Sequence, residues 1–304
     1  MAAIQEHITY FTSLLADRCL YDPETLEKYS HDETEDLRFL PAIVLKPETT
    51  EEVSAIMRYC FKHSLIVTPA GARTGLSGGA LPVKGGVLLS MERFNKILNI
   101  DEKNHQVTTE PGVITEVLQN AVREKGLFYP PDPASKGSCF IGGNVSENSG
   151  GPKAVKYGVT KDYVLNLEVV LPNGEVLWTG ANVLKNATGY NLTQLIVGSE
   201  GTLAIITKIV LRLIPHPTQD LLLLVPFFDA EKACEAVAAI FRAGITPSGL
   251  EFMEREALVW TQQFTQDFSI QVAENHAAHL LIEVDGFDAE QLMLECEKIM
   301  VVLE

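Results

Sequence analysis

The chain has 304 residues, 46% hydrophobic and 21% charged, and its 40 acidic and 24 basic residues give a formal net charge of -16. This is a globular composition, long enough for one large domain or two ordinary ones. The acidic excess repels phosphate backbones and anionic lipid, which argues against nucleic acid as a partner and against a charged membrane surface.

At the N-terminus, Ile4, Ile8, Phe11, Leu14 and Leu15 fall on one face of an amphipathic helix. Glu6 and Asp17, with no basic stretch before an apolar one, argue against a signal peptide. Ala42 to Leu45 reads as a strand ending at Pro47. Thr49 followed by Glu51 and Glu52 caps a helix whose apolar face is Val53, Ile56, Met57, Cys60 and Phe61. Ile66 to Thr68 and Val87 to Leu89 are strands flanking a glycine-rich loop, so residues 42–90 form an α/β unit.

Residues 97–110 read as two short strands, and Thr115 to Lys125 as a helix ended by Gly126. Residues 130–151 read as a long irregular loop, a class that is often functional. Val164 to Leu171 and Glu175 to Trp178 form a hairpin through Asn173-Gly174. A strand over Leu203 to Leu213 stops at Pro215 and Pro217, where a domain boundary is placed: residues 1–217 and 218–304. Beyond it come strands at 221–225, 249–253 and 278–284 and helices at 230–243, 254–264 and 289–304, an α+β pattern with helices on one face. The last helix ends apolar and uncapped, which reads either as an interrupted chain or as a helix that docks fully.

The longest apolar run, Leu221 to Val225, stops at Pro226, far short of the roughly 20 residues of a membrane span. The cysteines at 19, 60, 139, 234 and 296 are odd in number and scattered, against a disulfide framework, a zinc site or an iron–sulfur cluster, and point to the cytoplasm. His276 and His279 are a close pair better read as a surface loop than as metal ligands, and His31 beside Asp32 and Glu33 as an exposed turn.

Three segments carry chemistry. Pro69 to Gly79 follows a strand, and its glycines suit either an anion-binding concavity or a flexible turn. It lacks the Gly-Lys-Ser/Thr of a P-loop and the spacing of the Rossmann fingerprint. Pro131 to Gly151 combines paired glycines with Asn144, Asn148 and serines, which suits close approach by a flat ligand or an elaborate turn. Val197 to Thr202 leads into a strand and says little alone.

In this order, TGLSGGALP (74–82), IGGN-x-x-x-NSGG (141–151), Lys156-Tyr157-Gly158 and GSEGT (198–202) resemble one family over residues 20–304. It is the FAD-binding domain shared by vanillyl-alcohol oxidase, p-cresol methylhydroxylase and the D-2-hydroxy-acid dehydrogenases, with the glycolate oxidase and D-lactate dehydrogenase branch most similar. The resemblance implies an α+β fold: a two-subdomain FAD-binding domain of the p-cresol methylhydroxylase type, then an incomplete, ferredoxin-like substrate or cap domain.

It also implies a cofactor site. Pro69, Gly71, Ala72, Arg73, Thr74, Gly75, Leu76, Gly78 and Gly79 would wrap the pyrophosphate. Pro131, Asp132, Ser138, Gly142, Gly143, Asn144, Asn148, Ser149, Gly150 and Gly151 would contact pyrophosphate, ribityl chain and isoalloxazine. Tyr157 and Gly158 would lie beside that loop, and Glu200, Gly201, Ile205 and Ile206 would flank ribose and adenine. Some relatives attach FAD through a His in the first loop; residues 69–79 contain none, so non-covalent FAD is expected. Arg73 stands where relatives often carry Gly or Asn, and would either pair with the pyrophosphate or face solvent.

The implied reaction is oxidation of a small D-2-hydroxy acid to the keto acid, with hydride passing to flavin N5. Electrons would leave to a non-oxygen acceptor: a partner protein, an iron–sulfur subunit included, or a quinone pool. That implies a cytoplasmic protein or one peripheral to the respiratory membrane. The family's catalytic and metal-binding residues come later than residue 304, so the alternative is a truncated flavin-binding module without turnover of its own.

Overall fold

The computed structural model describes residues 2–303, with side chains described from Gln5 to Leu303, so the side chain of Ile4 on the predicted N-terminal face lies outside what is described. The chain folds as two compact units. One holds residues up to Tyr129 together with Ala134–Ser149 and Val159–Pro215; the other holds Pro130–Pro133, Gly150–Gly158 and the residues from His216 onward.

The first unit contains two larger sheets. One has the order Cys19–Leu20, Ile43–Leu45, Val87–Ser90, Val67–Ala70, the last three parallel. The helix Thr50–Lys62 is the crossover from Ile43–Leu45 to Val67–Ala70, which flank Val87–Ser90 on either side. Thr49 starts it by accepting the Glu52 amide at 3.2 Å, and Glu51 and Glu52 complement the dipole. Val53, Ile56, Met57 and Cys60 pack with Ile43, Leu45, Val87 and Leu89, and with Phe11 and Leu15 of the N-terminal helix. Phe61, predicted on this face, is 65% exposed: it falls outside the apolar stripe that the helical period turns to the sheet.

The second sheet is antiparallel, in the order Ile97–Asp101, Gln106–Thr109, Ile205–Arg212, Val164–Val170, Val176–Trp178. Glu168 ties it to the crossover helix: its buried carboxylate accepts from Thr50 Oγ1 at 2.7 Å and Thr207 Oγ1 at 2.9 Å, and pairs with Lys208 at 3.0 Å. Within the loop expected at 130–151 lies a helix, Ile141–Glu147. Two glycines in seven residues hide it from propensity. Tertiary contacts hold its start, the Ile141 amide donating to Val113 O at 2.9 Å and the Gly142 amide to Pro111 O at 2.7 Å.

The second unit is a three-stranded antiparallel sheet, Gln219–Phe227, Ala278–Gly286, Gly249–Glu254, with the strand latest in sequence at its centre. The helices Ala230–Arg242 and Ala289–Leu303 share a core with this sheet, burying Ala233, Ile240, Leu280, Ile282 and Ile299. The mixed helices and sheets of both units make the α+β class that the sequence implied. Strand alternation sends Ala278, Leu280, Ile282 and Val284 to the helices and His279, Glu283 and Asp285 to the opposite face. His279 is therefore no surface-loop residue: it is 1% exposed within the strand, with the His276 ring edge-on at 5.4 Å. Burial and the neighbouring His276 hold its imidazole below the usual range.

Candidate cofactor cleft

The first unit carries a cleft of about 350 Å³ at the carboxyl end of the strand Val67–Ala70. Open α/β sheets bind ligands at this end, because the loops leaving parallel strands diverge there. Three walls form it: residues 69–77 and 79–80, residues 139–149 in part, and residues 200–201 and 204–206. Asp32, Met91, Pro111 and Ser135 complete the lining.

The walls come together because backbone meets backbone. A Cβ on Gly142 would stand 3.0 Å from Pro111 O and 3.1 Å from its Cα, so glycine is required for the helix to enter the wall. Gly201 has φ +70°, and a Cβ there would meet Pro69 Cγ at 2.5 Å, so the turn after Gly198 closes against the first loop. Gly71 lies opposite Gly143: a Cβ on Gly71 would come 3.8 Å from the Gly143 nitrogen, while one on Gly143 would enter open space. Bare backbone thus faces the cavity, a surface that admits a flat ring or a phosphate closely.

Of the residues expected at the cofactor, Pro69, Gly71, Ala72, Arg73, Thr74, Gly75, Leu76, Gly79, Gly142, Gly143, Asn144, Ser149, Glu200, Gly201, Ile205 and Ile206 line this cleft. Gly78, Ser138 and Asn148 do not line it. The Gly78 amide is already given to Thr34 Oγ1 at 2.8 Å, and Asn148 Oδ1 accepts the Lys161 amide at 2.9 Å. Pro131, Asp132, Gly150, Gly151, Tyr157 and Gly158 belong to the second unit. There Asp132 Oδ1 accepts the Lys153 amide at 3.2 Å, and the Tyr157 hydroxyl donates to Asp285 Oδ1 at 2.8 Å. Lys156 donates to the same oxygen at 2.6 Å, and Lys153 to Glu283 at 2.6 Å.

Arg73 lines the cleft and is anchored on residues 28–31. Its guanidinium donates to Lys28 O at 2.5 Å and His31 O at 3.1 Å, and sits 4.4 Å from the centre of the Tyr29 ring. Side chains at the cleft that were not among the expected contacts include Asp32, Met91, Pro111, Cys139 and Glu147. Asp32, expected in an exposed turn, is buried because Arg73 holds that turn against the loop. No local pattern marks it. Cys139 and Asn144 both meet Thr115 Oγ1, at 3.3 and 2.5 Å. Partial desolvation, then the nearby Glu200 and Asp32 carboxylates, raise the Glu147 carboxyl above the ordinary glutamate value.

The lining suits FAD. Exposed backbone and small residues accept ring and phosphate, while carboxylates accept hydrogen bonds from sugar hydroxyls. Residues 41–180 match the family model of the FAD binding domain, and residues 216–304 match that of the FAD linked oxidases, C-terminal domain. Over 276 residues the chain is 42% identical to glycolate oxidase subunit GlcD of Bacillus subtilis, covering 89% of this chain and 58% of that protein. Over 291 residues it is 40% identical to D-lactate dehydrogenase of Anaerostipes hadrus, covering 94% and 61%. The chain thus spans about three fifths of the length of these relatives. The solved structure of p-cresol methylhydroxylase with substrate bound shares the fold, with a TM-score of 0.83 at 21% identity over 99% of this chain and 64% of that one. An FAD binding domain followed by the C-terminal domain of the FAD linked oxidases, in this order, makes the chain a relative of glycolate oxidase GlcD and D-lactate dehydrogenase.

Proposed function

We propose that the chain holds FAD non-covalently in the cleft of its first unit, as the flavin-binding part of a dehydrogenase for small D-2-hydroxy acids of the glycolate or D-lactate type. The observation that carries the reading is the convergence of the three glycine segments on one cavity. Residues 69–79 contain no histidine to form a covalent link, which supports release on denaturation. FAD, when bound, supplies a hydride acceptor at N5. The chain's own residues bind and orient it: Gly71, Gly75 and Gly143 present backbone, and Thr74, Ser149 and Asn144 present neutral donors.

Electrons then pass to a non-oxygen acceptor, an iron–sulfur or flavoprotein partner or a quinone pool. The site of action is the cytoplasm or the periphery of the respiratory membrane. Among the described residues, no helix is long and apolar enough to cross a membrane.

A second reading is favoured by the lining itself. Its titratable side chains are Asp32, Arg73, Cys139, Glu147 and Glu200; among the described residues no histidine lines it, and a hydroxyl proton could go only to a carboxylate, a weak base. On that reading, residues 1–304 by themselves bind flavin without turnover. Anaerobic mixing of the FAD-loaded chain with glycolate, D-lactate or D-2-hydroxyglutarate separates the two. Slow or absent flavin bleaching fits the module; rapid, saturable bleaching by one acid would place a complete reaction within these residues.

A further inference from the structure

Asp32 is 8% exposed and lines the cofactor cleft. Its Oδ1 accepts the Thr34 amide at 2.9 Å, but its Oδ2, fully buried, has no hydrogen-bond partner among the described residues. Buried carboxylate oxygens are rarely left so, because their lost hydration goes uncompensated.

The position of this oxygen is fixed from both sides. Arg73 pins Lys28 and His31 through their carbonyls and covers Tyr29. Beyond Asp32, Thr34 accepts the Gly78 amide. The glycine-rich loop therefore clamps residues 28–34 so that Asp32 faces the cavity.

We propose that Asp32 is a direct ligand of the cofactor, its Oδ2 accepting a hydrogen bond from a sugar hydroxyl of FAD; this rests on the FAD reading above. The donor class follows from charge. Glu147 and Glu200 lie at the same end of the cleft: a Cβ on Gly79 would stand 3.0 Å from Glu147 Oε1 and 3.8 Å from Glu200 Oε2, and Asp32 and Glu200 both act on the Glu147 carboxyl. Three carboxylates repel a pyrophosphate, whereas neutral hydroxyls donate to them. The phosphates accordingly belong toward Gly71, Thr74 and Gly143. FAD offers hydroxyls on its ribose and on its ribityl chain, and the two are separable because ADP carries the first and FMN the second.

The test is calorimetric titration of the 304-residue chain, freed of flavin, with FAD, ADP and FMN, alongside Asp32→Ala and Asp32→Asn. Asn can still accept the Thr34 amide, so Asp32→Asn keeps the turn if the alanine variant fails to fold. The expected result is FAD affinity about tenfold or more weaker in Asp32→Ala and about threefold or more weaker in Asp32→Asn, as for loss or weakening of a charge-assisted bond. ADP weakening in step while FMN holds would identify the ribose; the converse would identify the ribityl chain. Unchanged FAD affinity in both folded variants would overturn the proposal. So would tighter binding, which would mean that a phosphate faces Asp32, or equal loss of ADP and FMN, which would mean a collapsed cleft. An unsubstituted chain that binds no FAD would overturn the cofactor reading as well.

Discussion

Gly142 lies with its backbone against Pro111: its amide donates to the Pro111 carbonyl at 2.7 Å, and a Cβ would fall 3.0 Å from that oxygen. In an exposed helix, Gly→Ala gains about 1 kcal/mol. Here the neighbour is backbone of another segment and cannot swing aside, and overpacking costs about 1–3 kcal/mol. Gly142→Ala should therefore lower the melting temperature and reduce FAD retention. A melting temperature at or above that of the unsubstituted chain, with full flavin, would show that the wall is softer than it looks.

Arg73→Lys should fail to substitute for arginine. The guanidinium donates to two carbonyls while covering the Tyr29 ring, a planar arrangement that an ammonium cannot match. We expect Arg73→Lys and Arg73→Ala alike to open residues 28–34, read as faster amide exchange at Thr34 and Gly78. Protection at those two amides equal to that of the unsubstituted chain would contradict the clamp.

Much of this was legible in the sequence. The strand at 43–45, the helix capped by Thr49 and the hairpin at Asn173-Gly174 announce themselves through burial period, capping and turn chemistry. The glycine segments marked the cleft because close approach leaves a compositional trace. What stayed hidden depends on contacts distant in sequence. The helix Ile141–Glu147 is held by Pro111 and Val113 against its own propensity. Asp32 is buried by an arginine 41 positions later, as the residue numbers show. His279 falls inside the strand expected at 278–284, and its burial stayed hidden because it comes from that strand's central place between two others distant in sequence.

Acid should reveal Glu147. Its carboxyl is raised by partial desolvation and by Glu200 and Asp32. The folded chain thus holds this proton to higher pH than the unfolded one does. Its contribution to stability is present below the ordinary glutamate value and is lost as pH rises through the raised one. Glu147→Gln removes that loss. In the flavin-free chain, melting temperatures of the two proteins should coincide near pH 4 and diverge toward neutrality, with the Gln variant higher. Parallel curves across this range would contradict the shift.

In the second unit, Asp285 is the acceptor shared by Lys156 and Tyr157, with Lys153 3.7 Å from its other oxygen. Its side chain is 3% exposed. Deleting one partner of a buried ion pair strands the others, at a cost of about 3–5 kcal/mol. The lysines keep some solvent contact, so Asp285→Ala should cost about 3 kcal/mol in urea unfolding of the transition that reports the second unit. A change below about 1 kcal/mol would show that the network is a loosely held surface feature.

FAD held by these 304 residues in the cleft without a covalent bond should come free when the chain is denatured. The most direct measurement is the visible spectrum of the purified chain before and after acid precipitation. The expected result is a flavin spectrum near one FAD per chain and release of the yellow chromophore into the supernatant. A colourless folded chain that takes up no added FAD, or colour that stays in the pellet, would contradict it.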